Sequence, residues 1–168
     1  KARFVEILRV CSFFGDVRPM KILDYGCGLG HLYAFIKEHG VLETWQIKYT
    51  GSDINKDLIG EAKKQFPEAD FRVNNAALFD EKFNFVLCSG LFNLKFSEEF
   101  NIDEHYIGEI KKLFNMANHA VAVNFQSDKA IPLIAEQLRE QEARKFYFHN
   151  KEKVLNNMKQ ITENLKVS

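Results

Sequence analysis

The segment Ile22-Leu23-Asp24-Tyr25-Gly26-Cys27-Gly28-Leu29-Gly30 constrains this chain more than any other. A short apolar run, Met20 to Asp24, breaks directly into three glycines at alternate positions, and Leu29 to His39 then carries helical spacing as far as Gly40. The pattern is strand, glycine-rich loop, helix. Alternating glycines let the backbone pass close to a ligand and take φ above zero where a side chain would clash. A dinucleotide fingerprint would read GxGxxG and set a helix N-terminus against a pyrophosphate. Here the loop reads GxGxG behind Asp24, and a carboxylate in that place repels a pyrophosphate but suits a ligand carrying an ammonium or sulfonium group.

The rest of the chain repeats the alternation. Phe4, Ile7, Leu8, Cys11 and Phe14 fall at helical spacing and predict an opening helix that stops near Gly15 and Pro19. Ile47 to Asp53 reads as a second strand, followed by a helix over Asp57 to Phe66 that Pro67 closes. Further strands are predicted at Ala69 to Val73, Asn84 to Ser89 and His119 to Phe125, with a helix from Asp103 to Asn115 between the last two. Parallel strands need crossovers of about a dozen residues or more, so the alternation predicts a doubly wound α/β fold, its sheet mainly parallel with helices on both faces. After Ile131 the texture turns polar and helical, with Leu133, Ile134 and Leu138, then Val154, Leu155, Met158, Ile161 and Leu165, as apolar stripes. These read as two helices, or one broken near 146–150. At 168 residues the chain suits a single domain, divided into an N-terminal helix (1–18), a ligand-binding core (20–126) and C-terminal helices (127–168).

Charge and cysteine usage narrow the function classes. Lys and Arg number 23 and so do Asp and Glu, and zero net charge argues against general attraction to nucleic acid or anionic lipid. The balance is uneven along the chain: residues 24–126 hold ten basic and fifteen acidic residues, an acidic middle that suits a cationic ligand. Cys11, Cys27 and Cys88 are odd in number and lack CxxC spacing, which fits a reducing, cytoplasmic setting and no zinc site. No His, Cys, Asp or Glu cluster has metal-ligand spacing, and no apolar stretch reaches the roughly 18 residues of a membrane span.

Asp53 closes the second strand 23 residues after Gly30, where a doubly wound fold presents a carboxylate to ribose hydroxyls. Ile54 follows it and is placed to lie on a purine face. Asn75, just past the third strand, offers an amide to an adenine edge. With these residues the chain resembles the class I S-adenosylmethionine-dependent methyltransferases from about Lys21 to Phe125. ILDYGCGLG is similar to that family's first motif, YTGSDIN to its second, FRVNNA to its adenine-side turn, and NFVLCSGLFNL to its fourth strand and substrate-side loop. The closest likeness within the family is to small bacterial members with SGLFNL after the fourth strand. The resemblance implies S-adenosylmethionine as cofactor, with Asp24, Tyr25, Gly26, Cys27, Gly28 and Gly30 around its methionine part. It implies Asp53 at the ribose, Ile54, Asn75 and Ala76 at the adenine, and Ser89 and Gly90 on the methyl side. Family members usually carry Asp at the position of Asn75, segments before the opening helix that cover the substrate, and a terminal antiparallel hairpin that makes a seven-stranded sheet. Five strands are read here, so the expectation is a sheet with that hairpin lacking or truncated.

The acceptor and its base are less defined. Methyl transfer from a sulfonium is an in-line displacement from an already activated leaving group, so alignment matters more than acid chemistry. His31, His105, Tyr106 and Asn93 are the candidates of suitable type, and a surface or packing role is the plainer reading of the first three. The functional expectation is methyl transfer to an oxygen or nitrogen of a small molecule or saccharide-like metabolite, with a non-catalytic cofactor-binding or scaffold module as the alternative. The oligomeric state is left open.

Overall fold

A computed structural model describes residues 2–74, 80–95, 97, 99–131 and 146–167. The chain forms two compact units, one of Lys1–Ser89 with Lys112–Asn124, the other of Gly90–Lys111 with Phe125–Ser168.

The first unit is built on five strands: β1 (Met20–Tyr25), β2 (Ile47–Asp53), β3 (Asp70–Val73), β4 (Phe83–Ser89) and β5 (Ala117–Asn124). They pair in the order β3-β2-β1-β4-β5, and every pair is parallel. A central parallel strand is covered on both faces and therefore reads as a continuous apolar run, and β1 and β4 are buried almost throughout. From β1 the chain steps outward through β2 to β3, then returns to the other side of β1 for β4 and β5. That reversal places a topological switch point between the carboxyl ends of β1 and β4, the position where open α/β sheets bind ligands.

Helix α1 (Ala2–Ser12) buries Phe4, Ile7, Leu8 and Cys11 of the predicted stripe, whereas Phe14 lies beyond its end and is exposed. It shares one core with α2 (His31–Glu38), α4 (Lys56–Gln65) and the Ile22, Tyr49, Phe71, Phe85 and Leu87 side chains of the sheet. Helix α2 begins two residues later than the spacing predicts, because Gly30 sits at φ 78° and ends the loop as the helix cap. The start of α4 is fixed by Asn55, whose side-chain oxygen accepts from the Asp57 and Leu58 amides at 2.9 and 3.3 Å. A one-turn helix, α3 (Val41–Thr44), follows Gly40, and four residues are too few to show a period in sequence.

In the second unit a 3-10 turn at Leu91–Asn93 precedes α5 (Ile102–Met116), whose last turns, from Lys112, belong to the first unit. A second short turn, Asp128–Ala130, and α6 (Lys151–Lys159) complete the described part. Val154 and Met158 are buried on α6, and Asn150 caps it by accepting from the Lys153 amide at 3.1 Å. Leu133, Ile134 and Leu138 lie outside the described residues. Among the described residues no helix is long and apolar enough to cross a membrane.

Candidate functional site

The loop after β1 is tied to the end of β2 by backbone and side chain together. The Gly26 and Cys27 amides both donate to the Ser52 carbonyl, at 2.7 and 2.9 Å, and the Gly30 amide closes a turn onto the Cys27 carbonyl at 3.0 Å. The Gly28 amide donates to Asp53 Oδ2 at 3.0 Å, while Asp53 Oδ1 accepts from the Asn55 amide at 2.8 Å. The two carboxylate oxygens are thus aimed by the backbone, and each keeps lone-pair capacity for a ligand hydroxyl. Ile54, next to Asp53, is 81% exposed.

Two glycines are required by a side chain that the sequence reading did not single out. A Cβ on Gly30 would stand 2.7 Å from Phe71 Cζ, and one on Gly51 would stand 2.6 Å from Phe71 Cδ1. The Phe71 ring, opposite Gly51 across the β2–β3 pair, fills the space both glycines leave. Around it Tyr33, Tyr49 and Phe66 form an aromatic floor, with ring centroids 5.0 to 6.4 Å apart. The loop therefore rests on packed rings, which holds its backbone in one course.

Asp24, one residue before the end of β1, is 2% exposed. Its Oδ2 accepts from the Tyr49 hydroxyl at 2.7 Å. Burial pushes the Asp24 carboxyl up to about 7; the Tyr49 hydrogen bond and the Arg3 charge pull against that, and the Asp53 charge adds to it. Burial also raises the Cys27 thiol, and the neighbouring Asp24 and Asp53 charges raise it further, so Cys27 stays protonated and packs against the loop. Tyr25 is buried at the end of β1.

On the third strand side, the Asn74 amide donates to the Asp53 carbonyl at 2.9 Å, and its buried side-chain oxygen has no hydrogen-bond partner among the described residues. Sequence spacing pointed one residue further, to Asn75 and Ala76, which lie outside the described residues. At the end of β4, Ser89 Oγ accepts from Asn124 Nδ2 at 3.2 Å across the β4–β5 pair. His31 is exposed on the first turn of α2. A cavity of about 390 Å³ lined by Leu42, Glu43, Lys48 and Asp70 sits at the amino ends of β2 and β3, the end of the sheet opposite the glycine loop.

The remaining candidates belong to the second unit. Gly90 takes φ 85° ahead of the 3-10 turn. Asn93 is engaged by backbone on both sides: its Oδ1 accepts from the Gln126 amide at 2.8 Å and its carbonyl from the Tyr147 amide at 2.9 Å. Tyr106 and His105 lie on α5; the Tyr106 hydroxyl is buried, donates to Asp103 Oδ1 at 2.8 Å and accepts from Asn157 Nδ2 at 2.6 Å. Burial raises the Tyr106 phenol, so it holds its proton. His149, not singled out in sequence, is buried, and one ring nitrogen lies 2.8 Å from the Phe92 carbonyl.

A glycine-rich turn at the switch point of an all-parallel sheet, with carboxylates at the ends of β1 and β2, defines a Rossmann-like α/β domain. The chain belongs to the methyltransferase-domain family, whose profile matches residues 1–94. No curated protein matches the chain in a sequence search. Among solved structures it is similar to magnesium protoporphyrin IX methyltransferase (ChlM) from Synechocystis PCC 6803, crystallised with bound SAH. That likeness has a TM-score of 0.66 at 17% identity and covers 95% of this chain and 71% of that one. The plantazolicin methyltransferase BamL, in complex with a triazolic desmethylPZN analog and SAH, gives 0.72 at 17% identity, over 96% of this chain and 60% of that one. The cyclopropane synthase MmaA2 from Mycobacterium tuberculosis gives 0.63 at 14% identity, over 97% and 61%. At these identities the likeness is one of fold, that of the class I methyltransferases.

Proposed function

We propose that this protein binds S-adenosylmethionine across the Gly26 to Gly30 loop and transfers its methyl group to an oxygen or nitrogen of a small-molecule or saccharide-like acceptor. The observation that carries the reading is the bond from the Gly28 amide to Asp53 Oδ2, which locks the loop of β1 to a carboxylate at the end of β2. Residues around it fit the parts of that cofactor. Asp53 would accept from the ribose diol, Ile54 would cover one face of the adenine, and the buried Asn74 oxygen, without a partner among the described residues, would accept from the adenine amino group. Asp24 would meet the cationic methionine part.

When bound, the cofactor supplies a sulfonium methyl group already activated toward nucleophilic attack. The chain's contribution is then to orient, desolvate and hold charge. The loop on its aromatic floor would hold the methionine part in one place, and the Asp24 carboxyl would offset its positive charge. Membership of the methyltransferase-domain family and the fold likeness to two proteins crystallised with SAH support this reading. A small acceptor, rather than nucleic acid or a membrane, is favoured by the zero net charge, and a cytoplasmic setting by three buried cysteines that lack CxxC spacing.

Calorimetric titration with S-adenosylmethionine, S-adenosylhomocysteine and NAD tests the proposal. The expected result is binding of the two methionine-derived ligands and none of NAD; failure to bind either of the first two overturns it. Methyl release in a screen of hydroxylated and amino metabolites then reads out the acceptor.

A further inference from the structure

We propose that Tyr49 is a positioning residue of the cofactor site: by donating its buried hydroxyl to Asp24 Oδ2, it fixes the orientation of that carboxyl and leaves Oδ1 for the cationic methionine part. The inference rests on the cofactor reading above and adds a residue that neither the glycine motif nor its spacing marks.

Four observations carry it. The Tyr49 hydroxyl lies 2.7 Å from Asp24 Oδ2, and both side chains are almost wholly buried, at 7% and 2% exposure. In the β1–β2 register Tyr49 stands opposite Ile22 and Gly51 opposite Asp24, so Tyr49 reaches forward along its own face of the sheet to the carboxyl. The Tyr49 ring is itself clamped, 5.0 Å from Tyr33 and 5.7 Å from Phe71 between ring centroids, so the hydroxyl has little freedom to turn away. Among the described residues no Lys, Arg or His forms an ion pair with Asp24, which leaves the Tyr49 hydrogen bond as its polar contact.

The charged and titratable groups that act on Asp24 come from three elements. Tyr49 and Asp53 stand on β2, Cys27 on the loop and Arg3 on α1. Tyr49 and Arg3 favour the ionised carboxyl, whereas burial and Asp53 favour the neutral one. The cofactor-free carboxyl therefore takes up a proton near neutral pH. When the ammonium of the methionine part arrives, the Asp24 O–H bond breaks, the proton passes to solvent, and the carboxylate pairs with the cation. Cofactor affinity thus rises with pH until Asp24 is fully ionised in the free protein. Removing the Tyr49 hydroxyl takes away a donor that favours the ionised form, so the rise moves to higher pH.

The test is titration calorimetry of S-adenosylmethionine into the wild-type protein and Tyr49→Phe from pH 6 to 9, with circular dichroism to check folding. We expect Tyr49→Phe to keep its ring packing, to bind roughly tenfold more weakly at pH 7, and to shift the midpoint of the pH profile upward by about one unit. An unchanged affinity and profile in a folded variant overturns the proposal. Should the variant not fold, replacement of Tyr49 by 3-fluorotyrosine, which keeps the ring and makes the hydroxyl a stronger donor to Asp24, must move the midpoint of the profile downward, and an unchanged midpoint overturns the proposal. Absence of any binding by wild type at every pH is a different result, and it removes the cofactor reading itself.

Discussion

The Gly28 amide points at Asp53 Oδ2 from 3.0 Å, so the loop that follows β1 and the carboxylate that ends β2 form one hydrogen-bonded unit. A residue offered to the ribose is at the same time a structural tie for the loop. That double use shapes what its removal should do.

Asp53→Ala removes the acceptor of two backbone amides, those of Gly28 and Asn55. We expect cofactor affinity to fall by more than tenfold and the fold to lose about 1 to 3 kcal/mol, the usual cost of stranding hydrogen-bond donors. Asp53→Asn, which keeps one acceptor oxygen, should fall between. Calorimetry and thermal melts separate the two effects; unchanged affinity in Asp53→Ala would place the cofactor elsewhere.

Gly30→Ala meets two penalties together. The residue sits at φ 78°, and its Cβ would stand 2.7 Å from the Phe71 ring. Positive φ in a non-glycine residue costs on the order of 1 to 3 kcal/mol, and displacing a packed ring adds a comparable amount. The double variant Gly30→Ala/Phe71→Leu should recover part of the lost stability in denaturant melts, because the smaller side chain clears the new methyl group.

Asp24 makes stability depend on pH. Its carboxyl lies near 3.8 when unconstrained and is raised to about 7 in the fold, so between those values the folded protein holds a proton that the unfolded chain has released. The Asp24 contribution is therefore most favourable below about 4, declines as pH rises to about 7, and stays reduced above it. Three units correspond to a cost on the order of 4 kcal/mol. Asp24→Asn should flatten this slope, melt above wild type at pH 8, and bind S-adenosylmethionine poorly. A variant that melts below wild type at pH 8 would show that the buried carboxylate is not the costly group.

Asn74→Leu should behave in a similar opposed manner. Its buried side-chain oxygen has no partner among the described residues, and an unsatisfied acceptor costs about 1 to 3 kcal/mol. We expect the leucine variant to be as stable as wild type or more so, with weaker binding of adenosine-containing ligands. Equal affinity for S-adenosylhomocysteine in the two proteins would remove Asn74 from the adenine site.

Much of the fold was readable before any coordinates. β2 runs over Ile47–Asp53, as its apolar run and terminal acid predict, and the other four strands differ from their sequence limits by one or two residues. Alternation of strand and helix sets parallel pairing because crossovers need length, a constraint visible in one dimension. The missed element, α3, has four residues and no period to detect. Sites were legible to a lesser depth. Asp24, the loop glycines and Asp53 announce themselves by spacing, whereas Tyr49, Gly51, Phe71 and Asn74 carry no local mark.

The division has a physical reason. The sequence by itself determined the strand-loop-helix unit, the parallel sheet and the acid at the end of each of its first two strands, since periodicity, glycine and turn chemistry act over a few residues. Only the tertiary structure decided that Phe71 fills the hollow of Gly30 and Gly51, and that Tyr49 reaches Asp24 across 25 residues of chain. Strand register brings those pairs together, and register is settled by which faces the whole sheet can bury at once.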